Sequence, residues 1–243
     1  MGYIGLPNAV VIANSGINVI GVDFKDEILE SLQIGKTHFY EPGLDDLLKE
    51  VVYRKLITFK SKPDSSDVYV IAVPTPFVDD SSAIPKPNIQ FVLEAAEAIS
   101  KVIEPGALVI IESTIPVGTS KKVAKKISEL SGLNKSDFFL AYCPERVIPG
   151  FIMTEIIKND RVIGGLSPEA TDRAIDFYKH FCTGKLLASN ANTAELVKLT
   201  ENSFREVNLA FSNEISIICD QLNINVRDLI NLANHYPRVN ILN

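Results

Sequence analysis

A doubly wound parallel α/β sheet followed by a helical domain is the fold this sequence predicts, on three observations. Short runs rich in Val and Ile, at residues 68–73 and 108–112 for example, are apolar on both alternations, as strands covered on both faces must be. Helical patterns such as 88–102 and 120–130 lie between them, and strand–helix alternation of this kind builds parallel sheets. Near residue 190 the pattern changes to one long helical period.

Strands are expected at 18–22, 68–73, 108–112 and 138–142, with weaker ones near 57–59, 162–163 and 186–188. Residues 78–87 hold two Asp, two Ser and two Pro and read as a surface loop. From 192 to about 222 the residues Phe204, Val207, Phe211, Ile215, Ile218 and Leu222 recur at spacings of three and four, one apolar stripe that Leu196 extends. A second helix is expected at 226–234. The domain boundary is placed near 190, giving 1–190 for the sheet domain and 191–243 for the start of the helical one.

The chain's 243 residues are enough for a real core. With 30 acidic against 24 basic residues, a net charge of -6, it does not look like a nucleic-acid binder. An anionic small ligand stays open, because a phosphate needs only a helix N-terminus and one or two cations. Three cysteines, far apart, show neither a disulfide framework nor metal-ligand spacing, so no metal and a reducing compartment are expected. No apolar run reaches the roughly 18 residues that span a bilayer, and no basic leader opens the chain. The cytoplasm, with no membrane partner, is the expected location.

The chemistry begins at Met1-Gly2-Tyr3-Ile4-Gly5. Gly2 and Gly5 fit the second and third glycines of a dinucleotide fingerprint, one admitting a pyrophosphate to the backbone, the other letting helix and sheet pack closely. The first glycine and its strand would lie ahead of Met1. A tight turn is the plainer alternative, but Asp23, at the end of the next strand and 21 residues after Gly2, is in register to accept hydrogen bonds from an adenosine ribose. Its charge would repel a 2′-phosphate, favouring NAD over NADP. The domain is therefore expected to be Rossmann-like.

Three further strand ends carry polar groups. Thr75 in Val73-Pro74-Thr75-Pro76 and Thr114 in Glu112-Ser113-Thr114 follow strands directly, where open α/β sheets bind ligands. Glu145 and Arg146 set a carboxylate beside a guanidinium, suited to acid/base work near a phosphate or sugar, or simply an exposed ion pair. On the long helix Lys198, Asn202 and Arg205 share one face roughly opposite the apolar stripe, which is equally the pattern of a solvated face.

These blocks, in this order, resemble the UDP-glucose/GDP-mannose dehydrogenase family, and Glu195-Leu196-Val197-Lys198-Leu199-Thr200-Glu201-Asn202 adds to the match. The resemblance implies a four-electron oxidation in which two NAD molecules in turn take hydride from C6 of a UDP-sugar. It implies that Gly2, Tyr3, Ile4, Gly5, Asp23, Thr75 and Thr114 contact NAD. Lys198 would be the acid/base group, Asn202 would hold the developing oxyanion, and Glu145 with Thr114 would place the hydrolytic water. Arg146, Val147, Arg205, Tyr236 and Arg238, together with Lys198 and Asn202, would hold the UDP-sugar. Where the family pattern has His before Pro-Arg, this chain has Tyr236, with His235 one place earlier.

Asp160-Arg161-Val162-Ile163-Gly164-Gly165 and Pro237-Arg238-Val239-Asn240-Ile241-Leu242 narrow the resemblance to UDP-N-acetylhexosamine substrates, UDP-N-acetylmannosamine first. UDP-glucose and UDP-N-acetylglucosamine are the alternatives, and a non-catalytic NAD-binding or dimerisation module is the alternative of another class. The resemblance also implies pairing of subunits through the helical domain, as a homodimer or higher homo-oligomer. It places the nucleophilic cysteine beyond Asn243, so Cys143 is expected to be a buried thiol and the chain by itself incapable of the full reaction.

Overall fold

The structure, a computed structural model, describes residues 1–78 and 84–242 and divides into two units, Met1–Leu196 and Val197–Asn243. In chain order the first unit runs α1 (Gly5–Asn14), β1 (Val19–Val22), α2 (Asp26–Gln33), α3 (Leu44–Tyr53), β2 (Ile57–Lys60), β3 (Val68–Ile71), β4 (Phe77–Val78) and β5 (Lys86–Pro87). It continues through α4 (Gln90–Ser100), β6 (Leu108–Ile111), α5 (Thr119–Ser131), β7 (Phe139–Tyr142), α6 (Ile152–Lys158), β8 (Arg161–Gly165), α7 (Pro168–Tyr178) and β9 (Leu186–Asn190). The helix α8 (Ala191–Leu222) begins there and continues into the second unit, where α9 (Val226–Ala233) follows. No helix among the described residues is long and apolar enough to cross a membrane.

Every strand expected from the sequence is present. β1 pairs with β2 in one parallel ladder, and a second sheet has the order β3-β6-β7-β8-β9. All four residues of β6 are buried because parallel neighbours flank it on both sides and helices cover both faces, which is why Leu108-Val109-Ile110-Ile111 carries no polar alternation.

The doubly wound, predominantly parallel sheet expected from the sequence is present, with one antiparallel pairing within it. β8 runs antiparallel to β7, with Tyr142 opposite Gly164, and β9 runs parallel to β8. The cause is α6, which stays at the carboxyl end of β7 instead of returning the chain along a face. Ile152 and Ile156 of α6 are buried in the same core cluster as Val11 and Ile12 of α1, and that packing holds the connection where it is. Gly164 and Gly165 then let the next elements close in: a Cβ on the first would run into the Asn190 carbonyl, and on the second into the Thr171 amide.

The helix α1 is buried along nearly its whole length because it serves two core clusters. Leu6, Val10 and Ala13 pack with Leu29, Leu32, Leu44, Leu48, Ile57 and Phe59, while Val11 and Ile12 pack with Leu108, Ile110, Tyr178 and Phe181. A helix that is apolar all round is buried all round. Each fully buried aliphatic side chain here is worth about 1.5–3 kcal/mol.

The loop expected at residues 78–87 is in part a hairpin: Phe77 pairs with Pro87 and Val78 with Lys86 in an antiparallel ladder, while its residues 79–83 lie outside those described. In the second unit the apolar stripe on α8 does not form the core face that its spacing suggests. Phe204, Val207, Phe211, Ile218 and Leu222 are exposed, and Cys219 is the buried residue of that stretch. A helical period says which residues share a face, not what covers it. Ser212 donates to the Leu242 carbonyl at 2.6 Å, and the Asn234 amide bonds both the N–H and the C=O of Ile241, so the segment after α9 is tied back onto this unit's helices.

Candidate functional site

Parallel pairing puts the carboxyl ends of β3, β6 and β7 on one edge, in a register that aligns Ile71, Ile111 and Tyr142. The loops that leave this edge carry Thr75, Thr114, Glu145 and Arg146, so the structure brings these four expected residues to one sheet edge. Ser113 fastens the first two loops together. Its hydroxyl accepts the Val73 N–H at 2.8 Å and donates to the Val73 carbonyl at 2.7 Å. Thr75 and Thr114 are both half-buried.

The turn Gly2-Tyr3-Ile4 leads into α1, whose N-cap position, Ile4, makes no side-chain capping bond. Of the amides at this helix end, that of Leu6 donates to the Gly2 carbonyl at 3.0 Å and Pro7 has none, so an anion bound here would meet the N–H groups that precede Leu6. A Cβ on Gly2 would meet nothing within 4 Å, so the backbone there is open to close approach. Gly5 departs from its expected role. A Cβ there would lie 3.6–3.8 Å from Met1 and Ala72, ordinary contact, so packing of α1 on the strand end does not by itself demand glycine.

Asp23 follows β1 directly. One carboxylate oxygen lies 2.6 Å from the Met1 ammonium and the other accepts the Lys25 N–H at 3.0 Å. Burial pushes this carboxyl up, but those two bonds outweigh it and hold the group below its ordinary value. It is therefore an ionised acceptor near neutral pH, with lone pairs left for ribose hydroxyls. The uncapped helix end, the open glycine and the ionised acid together fit a dinucleotide.

Under this edge lies a polar cluster that sequence reasoning missed. Glu112, 4% exposed, accepts the Tyr178 hydroxyl at 2.7 Å and the Asn8 side-chain amide, and stands 3.7 Å from the Arg161 guanidinium. Arg161 also lies 4.6 Å over the Tyr178 ring, donates to the Ile156 carbonyl at 3.1 Å, and reaches the sulfurs of Cys143 and Cys182. Burial pushes the Glu112 carboxyl up, against the pull of Arg161. A signal existed: Asn8 is the only polar residue in Leu6-Pro7-Asn8-Ala9-Val10-Val11-Ile12, and a buried amide needs a partner. Nothing in the sequence named that partner.

Cys143 is fully buried in this cluster. Burial pushes its thiol up to about 11, Glu112 adds to the effect, and Arg161 opposes it. A thiol that is neutral and shut from solvent is no nucleophile, in line with the expectation for this residue.

Two more buried carboxylates, also missed, hold the loops in place. Glu195 takes the N–H of Gly118 at 2.6 Å and of Ser120 at 2.8 Å, capping α5 from the first turns of α8. Glu41 takes the N–H of Gly150 and of Ile152, each at 2.9 Å, capping α6. The loop between β7 and α6 is braced throughout. Glu145 accepts the Val147 N–H, Glu155 accepts the Ile148 N–H at 2.7 Å, and Arg146 donates to the Asp160 carbonyl at 3.1 Å. Glu145, Arg146 and Val147 are all half-buried, so they are not the freely exposed pair that spacing also allowed.

In the second unit Lys198 and Asn202 are half-buried, four residues apart on α8 and hence on one face, while Arg205 is exposed beside Glu206. Tyr236 and Arg238 are exposed in the turn after α9, closed by the Val239 N–H on the Tyr236 carbonyl at 2.9 Å.

Two family models match this chain. The NAD binding domain of the UDP-glucose/GDP-mannose dehydrogenase family matches residues 1–182, and the central domain of the same family matches 192–243. The UDP-N-acetyl-D-mannosamine dehydrogenase of Campylobacter jejuni is 48% identical over the whole of this chain and 61% of its own length, and that of Escherichia coli 45% over 59%. Among solved structures, the UDP-D-ManNAc dehydrogenase of Pyrococcus horikoshii is 41% identical with a TM-score of 0.94, over 99% of this chain and 57% of that one. The chain thus spans about three fifths of the length of the relatives it matches.

Proposed function

The chain belongs to the UDP-glucose/GDP-mannose dehydrogenase family, and from that premise we propose that it is the NAD-binding and leading helical part of an enzyme that oxidises C6 of a UDP-N-acetylhexosamine, UDP-N-acetylmannosamine first, to the uronic acid. The balance is one primary alcohol, two NAD⁺ and one water going to one carboxylate, two NADH and three protons. The observation that carries the reading is the set of half-buried polar groups at one sheet edge: Thr75, Thr114 and Glu145, beside an uncapped α1 N-terminus and the ionised Asp23.

The chain's own residues have distinct roles in this reading. The α1 end takes the pyrophosphate, with Gly2, Tyr3, Ile4 and Gly5 forming the approach. Asp23 takes the ribose hydroxyls, while Thr75 and Thr114 line the cofactor's path. NAD, when bound, supplies the hydride acceptor. Lys198 moves the proton at the C6 oxygen and Asn202 steadies the charge that develops there, a task for a cation and an amide fixed on one helix face. Glu145 and Thr114 hold the attacking water. Arg146, Val147, Arg205, Tyr236 and Arg238 hold the UDP-sugar. We place the domain boundary near residue 190, the protein in the cytoplasm, and its self-association on the exposed apolar stripe of α8.

The test is to assay a chain of the relatives' full length against a panel of UDP-sugars, following NADH by absorbance. Two NADH per UDP-N-acetylmannosamine, with slower turnover of UDP-glucose, is the expected result. Turnover of none of the panel overturns the reading.

A further inference from the structure

The geometry points to Glu41 as a positioning residue that couples occupancy of the NAD site to the loop bearing Arg146 and Val147. The inference rests on the reading of those two sites given above and goes beyond it. Glu41 is only 2% exposed, yet three donors converge on its carboxylate from two distant segments. Gly150 and Ile152 donate their N–H groups at 2.9 Å each, and the Tyr3 hydroxyl donates at 3.4 Å. The first two bonds fix the end of the 145–150 loop, which is braced by Glu155 at Ile148 and by Asp160 and Asn159 at Arg146. The third reaches the turn that the pyrophosphate would contact.

Tyr3 makes a second contact with the same segment, its ring centroid lying 4.7 Å from that of Phe39. The segment is anchored independently: the Thr37 hydroxyl and N–H both reach Asp45 on α3, at 2.7 and 3.3 Å. Glu41 is therefore held from its own side and is not free to follow either partner. Of its three bonds, the one to Tyr3 is the longest and the only one made by a partly exposed side chain, so it can break while the cap on α6 persists.

These features make a two-state element. When no ligand holds the Tyr3 turn, its long bond to Glu41 is the one able to break, while the Gly150 and Ile152 amides keep theirs. A ligand that fixes the turn holds the hydroxyl on Glu41 and stiffens the loop end that Glu41 caps. Ordering thus done by one ligand need not be repeated by the second, which gives positive coupling without a large displacement.

Amide hydrogen exchange of this chain, with NAD alone as the probe, reads the effect. NAD at a concentration that saturates each protein is expected to slow exchange at Gly150 and Ile152 by about fivefold, within the usual range of coupling factors. Tyr3→Phe should lose that slowing while keeping the resting protection of both amides, because Glu41 still caps α6. Glu41→Gln should lose both. A Tyr3→Phe or Glu41→Gln protein in which NAD still slows those amides by the original factor overturns the coupling and leaves the cofactor reading intact. An unsubstituted chain that binds no NAD overturns the cofactor reading and the coupling with it.

Discussion

Glu195 accepts the Ser120 backbone N–H at 2.8 Å, so a residue in the first turns of α8 caps a helix through an amide 75 positions earlier in the chain. With the Gly118 N–H at 2.6 Å on its other oxygen, the buried carboxylate satisfies two amides that α5 cannot satisfy itself. Glu195→Ala should therefore cost about 3 kcal/mol, more than an exposed cap, because two buried donors are left unpaired. Urea unfolding at unchanged slope reads it directly. A loss under ~1 kcal/mol would mean that water replaces the carboxylate.

In the proposed site Asp23 is the group assigned to set the cofactor preference. Asp23→Ala should weaken NAD binding about tenfold, roughly one charge-assisted hydrogen bond, and narrow the gap between NAD and NADP. Titration calorimetry with both cofactors measures it, and equal affinity of the unsubstituted protein for the two would end the assignment.

Lys198 has a kinetic signature. If Lys198 has the proposed acid/base role, then in a chain of the relatives' full length Lys198→Ala should lower kcat by about 100-fold or more with a smaller change in KM, because that role moves the proton in the transition state. Near-normal kcat would return that face of α8 to a solvated surface.

The stripe on α8 should govern self-association. Phe204, Val207 and Phe211 are exposed at helical spacing, and apolar patches of that kind mark interfaces. Size measurement of the extended chain at micromolar concentration should show a dimer, and Phe211→Glu should shift it toward monomer. A wild-type protein that is monomeric under those conditions refutes the assignment.

Cys143 makes the fold sensitive to alkali. Its thiol is raised from an ordinary value of 9.0 to about 11, so between those limits the unfolded chain gives up a proton that the folded one keeps. Fewer protons bound in the unfolded state means that stability falls as pH rises through this window. Urea midpoints from pH 8 to 11 should drop more steeply for the unsubstituted chain than for Cys143→Ala. At pH 8 the native thiol should resist iodoacetamide, and rapid alkylation there would contradict the burial described.

What the sequence determined by itself was everything that a local period or a spacing encodes. The runs at β3 and β6 read as two-sided strands because every residue in them is apolar, and the bounds of α8 follow from its stripe. Gly2 and Asp23 could be singled out by the spacing of a dinucleotide fingerprint, and Thr75 and Thr114 by following strand ends, while their contact with NAD stays part of the proposal. Tertiary structure alone decided what faces what. The reversal of β8 depends on where α6 packs, and the exposure of Phe204 and Phe211 depends on what covers a face. The partners of Glu41, Glu112 and Glu195 lie 109, 66 and 77 positions away for Gly150, Tyr178 and Gly118. A buried carboxylate announces in the sequence only that it is charged. Its donors are backbone amides and side chains that no local pattern marks, because hydrogen-bond satisfaction is a condition on three-dimensional proximity and not on spacing along the chain.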